Sequence, residues 1–284
     1  MPKASIVMIA HNEAQFISES IRCIQSQTEK DFELIIVDDA STDATIERVA
    51  GFRDRRIRYF RNARNMGAVY SRNKGIDKAR SNFIFFIDGD CYADKSWLAS
   101  GLAAFGDNIG VEGKIILSSP SNSISDKIVE NLHGHQYMTG NMAYRKDALL
   151  EAGMFSSDFK EYYEDRELAI RMMLKGSIVF SESMCVRHQL KKWGIRAFLR
   201  NARKVKGLVL LYKVYGWKHY MFRFVVKPKD LLLVLFPPLM ILLFVNGRIK
   251  KKRDLIFIPL YYMRAVYMRL LIWKAAFDNK VFLV

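Results

Sequence analysis

Phe83-Ile84-Phe85-Phe86-Ile87-Asp88-Gly89-Asp90 is an apolar run that stops on two carboxylates around a glycine. Apolar at every position rather than at alternate ones, it reads as a strand buried on both faces, and such strands belong to parallel sheets covered by helices. The same figure recurs upstream. Residues 5–9, apolar after Ser5, give way to His11-Asn12-Glu13, and residues 33–37, apolar after Glu33, end at Asp38-Asp39. Between them Phe16, Ile17, Ile21 and Ile24 repeat at helical spacing behind Asn12, a residue type that caps helix starts. Further alternation follows: a helix over 42–49, a strand near 57–60, a helix over 68–79, then a strand over 139–144, a helix over 146–152 closed by Gly153 and a helix over 165–174 ended by Gly176. In an open sheet of this kind ligands bind beyond the carboxyl ends of the strands, so His11, Asp39 and the Asp88/Asp90 pair should share one crevice.

Asp88 and Asp90 at the end of a buried strand repel each other and lose hydration unless a cation lies between them and a ligand. A hard divalent ion, Mg2+ or Mn2+, meets that need and completes its shell with phosphate oxygens and water, which implies a phosphorylated partner. Asp39 is placed to accept a hydrogen bond from a base or ribose, whereas Asp38 and Asp43 read as turn-forming and capping residues. Glu164-Asp165 opens a helix, where a carboxylate stays ionised; it is either a general base or an ordinary favourable first-turn charge. Asn65-Met66-Gly67 reads as a tight turn into a helix that carries Arg72 one turn in, within reach of phosphate or base. His188, after a short strand, is either a third metal ligand or a satisfied core residue.

The charge of +16 is unevenly placed. Residues 187–284 hold 22 Lys and Arg against 3 Asp and Glu, a net of +19, and residues 1–186 hold 23 against 26, a net of −3. The acidic part suits no polyanion, and the basic part alternates charge with long apolar stretches as a membrane-surface segment does, so nucleic acid is not an expected partner. Cys23, Cys91 and Cys185 lie far apart without paired spacing and read as reduced thiols. The apolar run 6–10 is too short for a signal-peptide core or a span, so the expectation is the cytoplasmic face of a membrane.

Taken in order, Ile9-Ala10-His11-Asn12-Glu13, Val37-Asp38-Asp39-Ala40-Ser41-Thr42-Asp43, Asn65-Met66-Gly67 with Arg72-Asn73-Lys74-Gly75, Phe86-Ile87-Asp88-Gly89-Asp90, Thr139-Gly140-Asn141, Gly153-Met154-Phe155 and Tyr163-Glu164-Asp165 resemble the family 2 glycosyltransferases. The resemblance implies an α/β fold of GT-A type, a Rossmann-like mixed but mainly parallel sheet with helices on both faces, over residues 1–190. It further implies that Ala10, His11, Asn12 and Glu13 line the base and ribose, with Asp39, Arg72, Asp88 and Gly89 completing the donor site. By the same resemblance Asp90 coordinates the Mn2+ or Mg2+ for which Asp88 and His188 are the further candidate ligands, and Asp165, beside Glu164, is the catalytic base of an inverting single displacement. The implied donor is a nucleotide diphosphate sugar of UDP or GDP type, and the acceptor a glycan or lipid-linked hydroxyl. His11 stands where many relatives carry an aromatic residue. Gln189-Leu190-Lys191-Lys192-Trp193 only approximates the Gln-x-x-Arg-Trp motif of processive members, which implies transfer of one sugar.

Residues 191–284 form a basic, apolar tail. Its stretch 231–245 is shorter than the ~20 residues of a straight span and is broken by Pro237-Pro238, and a single crossing would strand the basic cluster 248–253 on the far side. A re-entrant or interfacial hairpin against an anionic membrane is therefore expected, with Arg264 and Arg269 marking its second segment as interfacial, and a helical subdomain or dimer interface as the alternative. The serine-rich stretch 118–125 is the expected mobile lid. A nucleotidyltransferase would need an early glycine-rich phosphate loop, and a dinucleotide oxidoreductase Gly-x-Gly-x-x-Gly after the first strand; neither is present. A membrane or polyanion adaptor and a polyprenyl-phosphate sugar synthase stand as rival functions, the adaptor leaving Asp39, Asp88, Asp90 and Asp165 without a common purpose.

Overall fold

The computed structural model describes residues 1–216 and 257–280, apart from 122, 124 and 161. The chain divides into two compact units, one of Met1–Ser119 with Val129–Gln189, the other of Pro120–Ile128 with the residues from Leu190 onward.

In the first unit, β1 (Ala4–Ala10), β2 (Phe32–Asp38), β3 (Ile57–Arg61) and β4 (Phe83–Asp88) run parallel in the order β3-β2-β1-β4. The sheet continues through β8 (Asn141–Arg145), β6 (Gly110–Leu117), β9 (Ile178–His188) and β5 (Cys91–Ala93), with β8 and β5 antiparallel to their neighbours. Alternate residues of each strand feed two cores. Ile6, Met8, Leu34, Ile36, Phe85 and Ile87 meet Ile17, Ile21 and Ile24 of α1 (Ile17–Gln25) and Trp97 and Leu98 of α4 (Trp97–Ala104). Val7, Ile35, Val37, Ile84 and Phe86 meet Val69 and Ile76 of α3 (Ala68–Lys78) and Leu168 and Met172 of α6 (Glu164–Met173). Burial on both faces is what an uninterrupted apolar run requires. The remaining helices are α2 (Thr45–Ala50) and α5 (Lys146–Glu151).

Three local readings change. Asn12 does not cap α1, which starts at Ile17. It takes a left-handed conformation (φ 58°), and its side chain accepts from the Thr42 amide at 2.8 Å while its own amide donates to Ser41 Oγ, tying the loop after β1 to the loop after β2. A short amide side chain tolerates that backbone and bonds locally, which is also why it resembles a cap in sequence. The helix over 42–49 begins only at Thr45, because Asp43 accepts from both the amide and the hydroxyl of Thr45. α4 and β6, unmarked in the sequence reading, are both integral: α4 is almost wholly apolar and so has no stripe to read, and β6 carries two glycines and a buried Glu112.

Asn141 fixes the antiparallel half of the sheet. Its Oδ1 accepts from Trp97 Nε1 at 2.7 Å, and its Nδ2 donates to the carbonyls of Lys114 and Met184. It occupies the space over Gly113, where a Cβ would lie 2.2 Å from Nδ2. Asn141→Ala should orphan a buried indole N–H and two carbonyls at about 1–3 kcal/mol for each unsatisfied group, lowering the thermal midpoint by several degrees in a calorimetric scan; an unchanged midpoint contradicts this role.

In the second unit, β7 (Asp126–Lys127) pairs antiparallel with β10 (Lys191–Lys192), and the Trp193 amide donates to Ser125 O at 2.7 Å. Ser121 Oγ and the Ser123 amide both bond Asp126 Oδ2, so Ser121 and Ser123 of the expected lid belong to a built turn beside this pairing. Helices α7 (Ile195–Arg200), α8 (Val205–Tyr215) and α9 (Phe257–Asp278) form a small helical core, with α9 packed along α8. Phe198, Val205, Leu208, Val209, Leu271, Ile272 and Ala275 are buried there. Arg264 lies over the Phe198 ring at 4.9 Å and donates to Asn201 Oδ1, and Arg269 is buried, so both side chains lie against protein. Long basic side chains bury their stems readily, so their spacing alone cannot tell lipid from protein. Among the described residues no helix is long and apolar enough to cross a membrane. The stretch 231–245 and the cluster 248–253 lie outside the described residues.

Candidate active site

Register brings the acidic strand ends together: Ala10 is opposite Asp38, and Ile9 is opposite both Val37 and Asp88. The next residues therefore emerge side by side at the carboxyl edge of the sheet, where open α/β sheets bind ligands. The backbone is held in the left-handed region at Asn12, Ala40 and Tyr163, each in a loop bearing on this edge, as is common where a fold holds its functional residues.

On the β1–β2 side His11 is exposed, and its Nδ1 donates to the Asp39 carbonyl at 2.8 Å, leaving Nε2 to accept from Asn65 Nδ2 at 3.2 Å. Asp39 is buried and its carboxylate is already engaged by Asn62 Nδ2 and the amides of Met66 and Gly67, each at 2.8 Å. Its visible work is to hold the turn that starts α3. Ala10 is buried beneath, and a Cβ on Gly89 would lie 3.1 Å from Ile17 and 3.4 Å from Glu13, so this corner is closely packed.

Arg72, 6 % exposed, does not point freely toward a phosphate. Its guanidinium bonds Glu164 at 2.8 Å, lies 3.5 Å from Asp88 and sits over the Phe155 ring at 5.6 Å. The guanidinium thus joins the end of β4 to the start of α6. Asp165, next on α6, keeps part of its surface in contact with solvent but is set in dense protein. Burial and the adjacent Glu164 charge push its carboxyl up to about 7, against the opposing pull of Arg72 and the bond from the Arg166 amide. Arg166 in turn donates to the Gln136 side chain at 2.6 Å. That loop is fixed by Glu112, which accepts from Asn131 Nδ2 and the amides of His135, Gln136 and Tyr137.

At the end of β4 the two carboxylates part company. Asp88 turns to Arg72, with Gly140 leaving room for its Oδ2, and Asp90 is buried against His188, whose Nε2 lies 3.5 Å from Oδ2. The β5–β9 pairing delivers the histidine: Cys91 is opposite His188, and the Gln189 amide donates to Asp90 O at 3.0 Å. Ligand atoms of Asp90, Cys91 and His188 all lie within 4.8 Å of one another. His188 Nδ1 faces the Gln189 carbonyl at 2.9 Å and must donate to it. A neutral ring then turns the Nε2 lone pair toward a carboxylate, an opposition relieved by a cation between them or a second ring proton. The donor set therefore fits a divalent metal, with Asp90 and His188 as ligands and Cys91 Sγ close by, while Asp88 stands apart.

A family model described as glycosyl transferase family 2 matches residues 5–119. Residues 5–119 are thus similar to the family 2 glycosyltransferases. Over 93 residues it is 37% identical to a GalNAc(5)-diNAcBac-PP-undecaprenol beta-1,3-glucosyltransferase of Campylobacter jejuni, covering 32% of this chain and 30% of that one. Over 98 residues it is 37% identical to a UDP-Glc:alpha-D-GlcNAc-diphosphoundecaprenol beta-1,3-glucosyltransferase of Escherichia coli, covering 34% and 37%. The matched stretch thus spans about a third of either relative. A mannosyltransferase of Pyrobaculum calidifontis, solved with GDP-Man and Mn2+, shares the fold at TM-score 0.62 and 15% identity over 98% of this chain and 88% of its own. That fold is GT-A.

The family 2 match ends before β8, so Asp165 and His188 lie beyond it and are placed by the fold. Cys91 escaped the sequence reading as a site residue because its one legible property there was the lack of a disulfide partner; adjacency to Asp90 was the available signal. Glu112 left none, since nothing in Gly110–Leu117 distinguishes a loop-fixing carboxylate from a surface one.

Proposed function

We propose that this protein transfers one hexose from a UDP- or GDP-sugar to a hydroxyl of a lipid-linked or cell-surface glycan, with inversion at the anomeric carbon, at the cytoplasmic face of a membrane. The observation that carries this is the Arg72 bridge, which ties Asp88 at the donor edge to the Glu164/Asp165 pair. A base and a donor-edge carboxylate coupled through one buried guanidinium suit a single displacement. Asp165 takes the acceptor proton, the acceptor oxygen forms its bond to the anomeric carbon, and the bond to the diphosphate breaks with its electron pair leaving on oxygen. A proton affinity near neutrality is what a general base for a hydroxyl needs. Asp90 and His188 would hold Mn2+ or Mg2+, which would supply neutralising charge to the departing diphosphate. The lipid-linked acceptors named for the two bacterial relatives, together with the basic tail, support the acceptor class and the membrane location. A polyprenyl-phosphate sugar synthase has an acceptor with no hydroxyl proton to remove, and an adaptor has no reaction at all, so both leave Asp165 idle. Incubation of the full chain with Mn2+, UDP-glucose or GDP-mannose and an undecaprenyl-diphosphate-linked glycan, followed by NMR of the new linkage, should show a β-glycoside from an α-donor. A product of retained configuration, or transfer only to polyprenyl phosphate, contradicts the proposal.

A further inference from the structure

Helix α9 is apolar on two faces, and only one is covered among the described residues. Leu271, Ile272, Ala275 and Ala276 are buried, whereas Met263, Tyr267, Leu270, Trp273 and Phe277 are between 37 and 85% exposed. The exposed five are spaced by four, three, three and four residues, which lines them along one side of a helix of 3.6 residues per turn. Ordinary surface helices carry charge on that side. Here the charges on it are Lys274 and Asp278, paired with each other at 3.5 Å, and Lys280 just beyond the helix end.

We propose that this stripe lies flat in the interface of an anionic membrane, its five apolar side chains inserted and Lys274 and Lys280 at headgroup level. This deepens the membrane-proximal function above and rests on it for the presence of the membrane. Two observations select a lipid surface over a second copy of the chain. The stripe is rich in Tyr, Trp and Phe, whose rings favour the boundary between acyl chains and water. The tail that bears it, residues 191–284, holds 21 Lys and Arg against 3 Asp and Glu, a net of +18, so two such surfaces repel each other while an anionic lipid surface attracts either.

The test is flotation of the full chain with phosphatidylcholine vesicles, with and without phosphatidylglycerol, at low and high salt. Wild type should float with the anionic vesicles, and Leu270→Glu and Phe277→Glu should each reduce the bound fraction about tenfold or more while keeping the metal-dependent nucleotide stabilisation of the first unit. Undiminished flotation of both variants overturns the proposal. So does a dimer in light scattering that Leu270→Glu converts to monomer, which would assign the stripe to self-association. If either variant fails to fold, quenching by brominated acyl chains decides: wild type must lose more emission than Trp273→Phe, and equal quenching overturns the proposal. Because none of these readouts uses sugar transfer, failure here leaves the catalytic proposal standing, and failure of transfer leaves the docking result standing.

Discussion

Asp165→Asn should abolish sugar transfer by about 10²–10⁴-fold and at the same time make the folded protein more stable at pH 8. The two effects share one cause. The carboxyl of Asp165 is pushed up to about 7 from 3.8, first by burial and then by Glu164, so ionising it in the folded chain is harder than in the unfolded chain. Its contribution to stability is therefore fully present below the unfolded value near 4 and is lost as pH rises through about 7. At pH 8 the wild type holds a carboxylate that its surroundings resist, and asparagine removes that burden. Full conversion of the shift would give about 4 kcal/mol; partial contact with solvent reduces the expectation to about 1–2 kcal/mol, a rise of several degrees in the thermal midpoint. The rate constant for transfer should rise with pH to a plateau with its midpoint near 7. Glu164→Gln, which removes the neighbouring negative charge, should move that midpoint down, and Arg72→Gln, which removes the opposing positive charge, should move it up. A pH profile flat from 5 to 9 in the wild type contradicts the assignment of Asp165 as base.

Asp90→Ala should eliminate metal-dependent transfer and His188→Ala should weaken it, without unfolding the sheet. The β5–β9 pairing and the Gln189 amide bond to Asp90 are backbone contacts, which survive loss of either side chain. A metal that neutralises a diphosphate leaving group is worth several kcal/mol, so Asp90→Ala is expected to cost about 10³-fold or more in transfer. His188→Ala keeps the carboxylate and should instead raise the Mn2+ concentration needed for half-maximal activity. Steady-state transfer across a Mn2+ titration checks both. Equal activity of Asp90→Ala and wild type, with or without metal, would contradict the assignment of Asp90.

The parallel half of the sheet was legible because β1, β2 and β4 are apolar on both faces, Ser5 and Glu33 apart, and stop on polar residues, a pattern with few other solutions. The antiparallel half was not, because Gly110–Leu117 interrupts its apolar residues with glycine and glutamate and Trp97–Ala104 has no polar face. At the site, sequence placed the right residue types at one edge but not their partners. Nothing local says that Arg72 turns to Glu164, 92 residues away, or that Asp88 and Asp90 face opposite ways, since both follow from how β8 and β9 close the sheet. Asp39 read as a donor contact because it ends a strand, and the structure adds a second task, holding the amides of Met66 and Gly67. Arg264 and Arg269 read as interfacial because basic side chains in an apolar helix look alike in lipid and in protein, and only the Phe198 and Asn201 contacts separate the two for Arg264.

The most direct measurement is the thermal midpoint of the detergent-solubilised full chain with uridine, guanosine and thymidine diphosphates, each with and without Mn2+. A nucleotide at a hundredfold its dissociation constant adds about 2.7 kcal/mol of apparent stability. The expected result is a Mn2+-dependent rise with one of the three, absent in Asp90→Ala, which would also name the base of the donor. No rise with any nucleotide, in protein shown to be folded, would mean that the carboxylates at the sheet edge do not form a nucleotide site.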